Sequence, residues 1–421
     1  MLASAKSNEN SDDMNLAFIG NWNNLHLRIA VALANNLKHH HCRVVVSRND
    51  HLRCMPILSS LSNSATNSVV EVLDAVVNFS FEKELHSSVY RIHRKMLETI
   101  EWADIVFVGA ELFFLTKLII DKPIIGVPIG FEFNKWAKSD KSPDEAYFYE
   151  AAGACDLYLS QSWGTDAKRS GSVADFFIDN KLTDRIFYFP SFPIDFDLTR
   201  LFLNGKKQTP KSKIDNRYIF YAARIEVESD QFLDNKGWPL FIAGLSLAMH
   251  RLIHHSIKLA IVVRNKKTLE ILQALPTEVS ELLILINHDN PGDLPYADFL
   301  HVCDQSMGVI ESCGESAAGM GLTTVDALSL SSPLLTNIGL ESSEDDAAAN
   351  LIYDSANLRE PQDVAELLIR FIDDVATAKH ESFDFEKAIE SSSRVISARQ
   401  FALLLGEKLH ELQNDFGTHV G

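Results

Sequence analysis

Short apolar runs recur along the chain of 421 residues, and stretches whose apolar residues have helical spacing separate them. Apolar runs without polar alternation are typical of parallel strands buried on both faces, and the intervening helices are the usual crossovers. The alternation therefore predicts an α/β fold with doubly wound parallel sheets. The predicted strands are 15–20, 43–47, 104–109, 123–127, 156–160, 185–190, 218–222, 259–263, 282–286, 308–310 and 334–336.

One polar segment divides this alternation into two rounds. Residues 204–216, NGKKQTPKSKIDN, are rich in lysine and contain glycine and proline, which is the composition of a linker. A chain of this length also exceeds one ordinary core. We expect a disordered tail at 1–13, a Rossmann-like domain at 14–203, the linker, a second Rossmann-like domain at 217–384, and C-terminal helices at 385–421 that pack back on the first domain.

The composition limits the classes of function. The net charge of -18 opposes non-specific binding to nucleic acid. The five cysteines never have CxxC spacing, so neither a disulfide framework nor a zinc site is indicated. The most apolar window, 105–120, is interrupted by Glu111 and Lys117 and is too short to span a bilayer. A cytoplasmic protein fits these features best.

The stretch 309–336 has the strongest pattern of a ligand site. An apolar run leads into a loop of small residues, and a helix is predicted from Thr323 to Ser331. Small residues allow close approach to the backbone, and the first amides of a helix favour an anion. An ordinary crossover with a glycine for packing explains the same pattern. The candidate anion-binding residues are Gly319, Met320, Gly321, Leu322 and Thr323.

Two loops of the first half also follow predicted strands. The first contains Gly20, Asn21, Trp22 and Asn23, and the second contains Gly130 and Glu132. In open parallel sheets, ligands bind beyond the carboxyl ends of the strands, where both loops fall. The first loop is not a GxGxxG sequence, so the dinucleotide fingerprint is absent.

Several short motifs together resemble a known family. The second half is similar to the donor-binding half of the GT-B glycosyltransferases, specifically retaining family four. The first half resembles the acceptor domain of that family through 128–132 and 189–197. The motifs of the second half are YAARI at 221–225, Lys236-Gly237, FLHVCD at 299–304, GLTTVDAL at 321–328 and SPLLT at 332–336.

The resemblance implies a fold and a reaction. Two Rossmann-like domains would face each other across a cleft, and a sugar would pass from a nucleotide-diphosphate sugar to a hydroxyl of a glycan or lipid-linked glycan, with retention. It implies no cofactor and no catalytic metal. Two rivals stay open, a nucleotide-sugar epimerase on the same fold and a protein that binds a nucleotide sugar or glycan without chemistry.

The resemblance also implies roles for two cations and an acid. Arg224 and Lys236 would grip the diphosphate, where fixed cations stabilise the charge of the leaving group. Eleven residues separate them, more than the family usually has. An ion pair of Arg224 and a solvated helix position for Lys236 are the structural alternatives. Glu132 would face the acceptor or the reacting centre.

The two acids of the family motif are the main departure. Alignment on GLTTVDAL makes Asp326 the acid that contacts the ribose, and it places Ala318 where the family has the acid that contacts the sugar. Glu315 recovers that role if the loop bulges, whereas Glu311 is a poorer substitute because it lies at the strand end. A changed sugar contact, or a domain that binds without transferring, stays open.

Further basic residues give weaker signals. Arg91, Arg94 and Lys95 form a basic face on a predicted helix at 89–100, and such a face could contact anionic lipid at the inner side of a membrane. A solvated helix face is the alternative. Candidate phosphate contacts or plain surface residues after a strand of the second half are Arg264, Lys266 and Lys267.

One acidic pair resembles a metal-ligand pattern. Asp195 and Asp197 form a DxD sequence, which binds metal in a different glycosyltransferase fold. The sequence is common, and a loop role near the linker is favoured. We expect no metal site.

Overall fold

The structure is a computed structural model, and it describes most of both predicted domains. Two compact units are present. Apart from residues 161–172, the chain passes from the first unit to the second between Phe187 and Tyr188 and returns between Gln400 and Phe401. The described residues are 13–20, 24–48, 68–73, 94–109, 121–127, 153–161, 181–205, 217–225, 236–314, 321–337, 351–380 and 383–419, together with a few isolated positions.

The first unit contains a seven-stranded sheet with the order β3-β2-β1-β4-β5-β6-β7. The strand pairings described by register are all parallel. Helices α1 (Asn24–Asn36) and α2 (Arg94–Trp102) belong to the same unit. The strands are β1 (Asn15–Ile19), β2 (His41–Ser47), β3 (Ser68–Leu73), β4 (Ile105–Gly109), β5 (Ile124–Val127), β6 (Leu157–Gln161) and β7 (Ile186–Phe189).

Two aspartates fix the starts of neighbouring strands in this sheet. Asp104 precedes β4 and accepts a hydrogen bond of 2.7 Å from the amide of Asn15 at the start of β1. Asp156 precedes β6 and accepts one of 2.8 Å from the amide of Ile124 at the start of β5. Each carboxylate accepts from an amide at the start of a strand, where the neighbouring strand supplies no carbonyl.

The second unit contains a six-stranded parallel sheet with the order β10-β9-β8-β11-β12-β13. Its strands are β8 (Tyr218–Tyr221), β9 (Lys258–Val262), β10 (Leu283–Ile286), β11 (Val309–Ile310), β12 (Leu334–Thr336) and β13 (Ile352–Asp354). Its helices are α3 (Phe196–Gly205), α4 (Trp238–His255), α5 (Lys266–Gln273), α6 (Thr277–Ser280), α7 (Tyr296–Asp304), α8 (Leu322–Ser329), α9 (Pro361–Ala376) and α10 (Phe385–Glu390).

Helices α4 and α9 pack closely against each other in this unit. A Cβ atom at Gly244 of α4 would clash with Cγ1 of Val364 on α9, so only glycine fits at this crossing. The core beneath them includes Tyr221, Trp238 and Phe241, whose rings lie within 6 Å of one another.

The last helix, α11 (Ala398–His419), packs back on the first unit. Its Phe401 ring meets that of Phe187 edge-on at 6.1 Å, and its His410 ring lies 5.7 Å from that of His40. Gly406 allows close approach of Leu37 at the end of α1. The expectation that the C-terminal helix returns to the first domain is confirmed.

All eleven predicted strands are present, with ends that differ by one or two residues. Strands β3 and β13 were not predicted. The division between the units precedes the predicted linker, because α3 packs on α7 and α8 and so belongs to the second unit. Most of the predicted tail at 1–13 lies outside the described residues. Among the described helices, none is long and apolar enough to cross a membrane.

Candidate functional site

The order of the second sheet reverses between β8 and β11. Strands β9 and β10 continue from β8 toward one edge, and β12 and β13 continue from β11 toward the other. Open α/β sheets bind ligands in the crevice at the carboxyl ends of the strands at such a point. The amide of Ala222 bonds to the carbonyl of Ile310 at 2.9 Å, which holds the two strand ends together. Arg224 follows β8, and Glu311 follows β11 directly.

The carboxylate of Glu311 is the centre of this region. Its side chain is 2% exposed, and its Oε1 lies 3.2 Å from Nζ of Lys236, which is 17% exposed. The amide of Gly321 also donates to Oε1 at 3.1 Å. The hydroxyls of Thr324 and Thr336 donate to Oε2, the latter at 2.7 Å. The site therefore contains a buried ion pair with hydrogen bonds on both carboxylate oxygens.

This environment keeps Glu311 ionised. Burial alone would raise the pKa of its carboxyl group, but the ammonium of Lys236 and the hydroxyls of Thr324 and Thr336 outweigh burial. The net effect lowers the pKa below its usual value. Lys236 thus faces a fixed negative charge.

The backbone of Lys236 is held separately from its side chain. Its carbonyl accepts a hydrogen bond of 3.0 Å from the amide of Cys313. Gly237 follows with φ 73°, a left-handed conformation that favours glycine, and α4 begins at Trp238. Lys236 therefore lies in the turn before the helix and not on a solvated helix face.

A network of small polar side chains continues beside the ion pair. The amide of Asn337 donates to Oγ of Ser312 at 3.0 Å, and Nδ2 of Asn337 donates to the carbonyl of Gly314 at 2.8 Å. The amide of Gly314 donates to Oγ of Ser355 at 3.1 Å. These bonds join the ends of β11, β12 and β13, so the floor of the crevice is fixed by buried polar contacts.

The N-terminus of α8 is partly occupied by the chain itself. The amide of Gly321, predicted to bind phosphate, donates to Glu311 instead. Leu322 and Thr323 are partly exposed at the start of the helix. Gly319, Met320 and Glu315 lie outside the described residues, so their predicted contacts stay predictions. The structural reason for the change at Gly321 is that a carboxylate of the adjacent strand reaches this helix end first.

Asp326 lies inside the packing of the second unit. Its side chain is fully buried, and Oδ1 accepts a hydrogen bond of 2.7 Å from the hydroxyl of Tyr296 on α7. Burial raises the pKa of the nearby Cys303 thiol, and the carboxylate of Asp326 raises it further. This side chain therefore lies inside the packing of α7 and α8, and its predicted contact with a ribose stays a prediction. Asp326 lies in the second turn of α8, where residues 324–329 are all buried.

Two arginines lie at the end of β8. Arg224 is exposed. Arg264 follows β9, and its guanidinium donates to the carbonyl of Ala222 at 3.4 Å and pairs with Asp293 at 2.9 Å. Both arginines therefore lie near this end of the sheet, and Asp293 compensates the charge of Arg264. Lys266 and Lys267 are exposed at the start of α5.

The first sheet has its own reversal of order, between β1 and β4. Gly20 follows β1 at this point and is buried. The remaining predicted residues of the two loops lie outside the described part of the chain, and these are Asn21, Trp22, Asn23, Gly130 and Glu132.

The DxD sequence has a structural role. Oδ1 of Asp195 accepts a hydrogen bond of 2.9 Å from the amide of Leu198 and so caps the start of α3. Asp197 lies 3.9 Å from Arg200. Within the described residues, no group of three metal-ligating side chains occurs.

The predicted basic face on α2 is largely neutralised. Arg94 pairs with Glu98 at 2.6 Å, and Lys95 lies 3.7 Å from Glu71 and donates to the carbonyl of Val72 at 3.1 Å. Arg91 lies outside the described residues. The two described cations each have a carboxylate partner, which weakens their attraction for anionic lipid.

Structural comparison gives the fold. The chain matches a protein described as UDP-N-acetylglucosamine 2-epimerase from Listeria monocytogenes with a TM-score of 0.53 and 15% identity, over 95% of this chain and 96% of that chain. It matches HepE of Anabaena, solved in complex with UDP, with a TM-score of 0.55 and 10% identity, over 94% and 100%. It matches the N-terminal domain of trehalose-6-phosphate phosphatase from Candida albicans with a TM-score of 0.56 and 11% identity, over 95% and 97%.

The chain has the GT-B fold. No protein-family model matches the sequence, and no curated protein sequence matches it. These three structures are 10 to 15% identical to this chain, so they show the GT-B fold and leave the reaction to the chemistry of the site.

The sequence alone underestimated Glu311, which was expected only as a poorer substitute for the acid that contacts the sugar. Lys236 lies 75 positions away and Thr336 lies 25 positions away, so no local pattern reveals their contacts with this acid. The available signal was the position of Glu311 directly after an apolar run, at the strand beside β8. An acid at a reversal point of a parallel sheet is a candidate for the site even without a motif.

Proposed function

We propose that the protein transfers a sugar from a nucleoside-diphosphate sugar to a hydroxyl of a glycan or lipid-linked glycan, with retention of configuration. The buried pair of Lys236 and Glu311 at the reversal point of the second GT-B sheet is the observation that carries the proposal. The complex of Anabaena HepE with UDP supports a nucleotide as the ligand of this fold.

The proposed chemistry depends on fixed cations. As the glycosidic bond breaks, the nucleoside diphosphate leaves with increased negative charge, and positive groups at that point lower the barrier. Arg224 is exposed beyond β8, and Lys236 is held at the end of the neighbouring strand β11. In this proposal, Arg224 and Lys236 contact the diphosphate, and no catalytic metal is needed because their charges replace it.

The first unit would supply the acceptor side. Glu132, with Gly130 and the loop of Gly20, Asn21, Trp22 and Asn23, is proposed to face the acceptor. Contact with a lipid-linked acceptor would occur at the inner face of a membrane, and the protein would act in the cytoplasm in polysaccharide biosynthesis. These assignments rest on the resemblance of the sequence to family four.

The alternative is a nucleotide-sugar epimerase on the same fold, and the likeness to the Listeria epimerase supports it. A protein that binds nucleotide sugar without chemistry is a second alternative. It is supported by the internal hydrogen bonds of Glu311 and Asp326, because both carboxylates then have partners within the chain.

A ligand screen followed by a transfer assay tests the proposal. Thermal unfolding is measured with UDP, GDP, ADP and CDP and with their sugar derivatives, because a ligand of the folded state raises the apparent stability. The selected donor is then incubated with candidate acceptors. Release of nucleoside diphosphate that requires an acceptor supports transfer. A change in the donor sugar without an acceptor indicates epimerisation, and binding without either reaction indicates the non-catalytic alternative.

A further inference from the structure

Glu311 joins two parts of the proposed diphosphate site. Its Oε1 accepts from the ammonium of Lys236 at 3.2 Å and from the amide of Gly321 at 3.1 Å, which lies at the N-terminus of α8. Its Oε2 accepts from the hydroxyls of Thr324 and Thr336. A carboxylate offers about four acceptor positions, and this chain uses all of them. A sugar hydroxyl would therefore bind Glu311 only by displacing one of these donors.

We infer that Glu311 is a positioning residue of the diphosphate site, which holds the ammonium of Lys236 against the first turn of α8 and does not contact the donor sugar. The inference rests on the proposed function. It also assigns a purpose to a buried charge that the family resemblance leaves without one.

The anchoring of Lys236 makes this role specific to its side chain. The carbonyl of Lys236 is bonded to the amide of Cys313, and the left-handed Gly237 begins the turn into α4. Neither contact involves Glu311. A change at Glu311 would remove this contact of the ammonium group and the contact at the helix end, while the backbone of Lys236 stays in place. A flexible lysine that must be ordered on binding weakens the affinity for its ligand.

The charge and the geometry of Glu311 act in opposite directions. A negative charge next to Lys236 repels a diphosphate, whereas a fixed ammonium favours its binding. Glu311→Gln separates the two effects. The amide oxygen can accept from Lys236 and Gly321, and the NH₂ group can donate to the two threonine hydroxyls, which also act as acceptors. Glu311→Ala removes the charge and all four contacts.

Isothermal titration with UDP and uridine measures the result. We expect Glu311→Gln to bind UDP at least as tightly as the wild type and Glu311→Ala to bind UDP about tenfold more weakly or worse, a factor equivalent to about 1.4 kcal/mol. Uridine affinity should change in neither variant. Thr336→Val removes one donor from Oε2 with little change of shape, and it should weaken UDP binding in the same direction by a smaller factor.

Asp373→Asn is the matched control. Asp373 pairs with Arg251 and with His255, the latter at 2.8 Å, between α4 and α9 of the same unit and outside the crevice. This control should lower the thermal stability and leave UDP affinity unchanged. It therefore separates loss of an ion pair from loss of the site.

Two results would overturn the inference alone. One is wild-type or tighter UDP binding by Glu311→Ala, and the other is an equal loss in the alanine and glutamine variants, which would assign the charge itself a direct role. If Glu311→Ala does not fold, Thr336→Val decides, and unchanged UDP affinity in that variant overturns the inference. If the wild-type protein binds none of UDP, GDP, ADP and CDP, that result overturns both the proposed function and the inference about Glu311.

Discussion

The hydroxyl of Tyr296 lies 2.7 Å from Oδ1 of Asp326 and donates a hydrogen bond to it. This bond joins α7 to α8 inside the second unit, where Asp326 has no exposed surface. A buried carboxylate depends on such donors, because it has lost its contacts with water. Asp326 therefore stabilises the packing of two helices, although the sequence motif places it where the family has a ligand contact.

Tyr296→Phe tests this role. The variant removes one hydrogen bond to a buried carboxylate and keeps the ring, so the free energy of unfolding should fall by about 1 to 3 kcal/mol. UDP affinity should stay unchanged. Urea denaturation and titration with UDP give the two numbers. If the stability is unchanged and UDP affinity falls tenfold, Asp326 acts in ligand binding and not in the packing of the two helices.

Arg224→Ala tests the diphosphate contact. Arg224 is exposed beyond β8, and a hydrogen bond to a charged group contributes about 1.5 to 3 kcal/mol. UDP binding should weaken by that amount, whereas uridine binding should not change. Arg370→Ala is the control, since Arg370 is an exposed arginine of α9 whose guanidinium lies 5.5 Å from the ring centre of Tyr353. Equal losses for UDP and uridine would place Arg224 away from the phosphates.

Chelation tests whether cationic side chains replace a metal. If Arg224 and Lys236 supply the positive charge at the diphosphate, EDTA should change neither UDP affinity nor the rate of transfer. The assay compares untreated protein, EDTA-treated protein and treated protein supplied with Mg²⁺ or Mn²⁺. Loss of transfer that either metal restores would show that the cations of the chain are insufficient.

The ionisation of Glu311 predicts a pH dependence of stability. Burial raises the pKa of Glu311, but Lys236 and the two threonine hydroxyls together lower it by more than burial raises it. The pKa in the folded protein therefore lies below the usual 4.5. The unfolded chain then binds the proton more readily, and Glu311 contributes stability above pH 4.5 that is lost as the pH falls through the folded pKa.

The difference in unfolding free energy between wild type and Glu311→Gln measures this contribution. The difference should be constant at neutral pH. As the pH falls below 4.5, the wild type should lose stability relative to the glutamine variant. Taking the difference removes the effects of other carboxylates that titrate in the same range. A difference that does not vary with pH would mean that Glu311 titrates alike in the folded and unfolded chains.

The architecture was predictable because parallel strands leave a local signal. Residues 218–221 and 334–335 are apolar, since both faces of a central parallel strand are buried, and both lie in strands of the structure. Strand β3 was missed because Glu71 interrupts its apolar run.

The site was less predictable, because its contacts join distant parts of the chain. The sequence placed Lys236 and the start of α8 near the ligand, but the partner of both is Glu311, which lies 75 and 10 positions away. A motif also fixes a residue's position without fixing its exposure. Asp326 occupies the predicted position on α8, yet residues 324–329 of that helix are all buried.

Gly314→Ala tests the floor of the crevice, with Gly292→Ala as a matched control. Gly314 has φ 97°, and an added Cβ would lie 2.6 Å from Cδ2 of Leu240, so alanine meets both an unfavourable backbone conformation and a steric clash. The free energy of unfolding should fall by about 1 to 3 kcal/mol or more. Gly292 has no atom closer than 3.9 Å to an added Cβ, so its substitution should stay within about 0.5 kcal/mol. Chemical denaturation of the two variants compares them directly. Equal stabilities would show that the loop after β11 can relax, and that the hydrogen bonds of Gly314 to Asn337 and Ser355 do not hold it in the left-handed conformation.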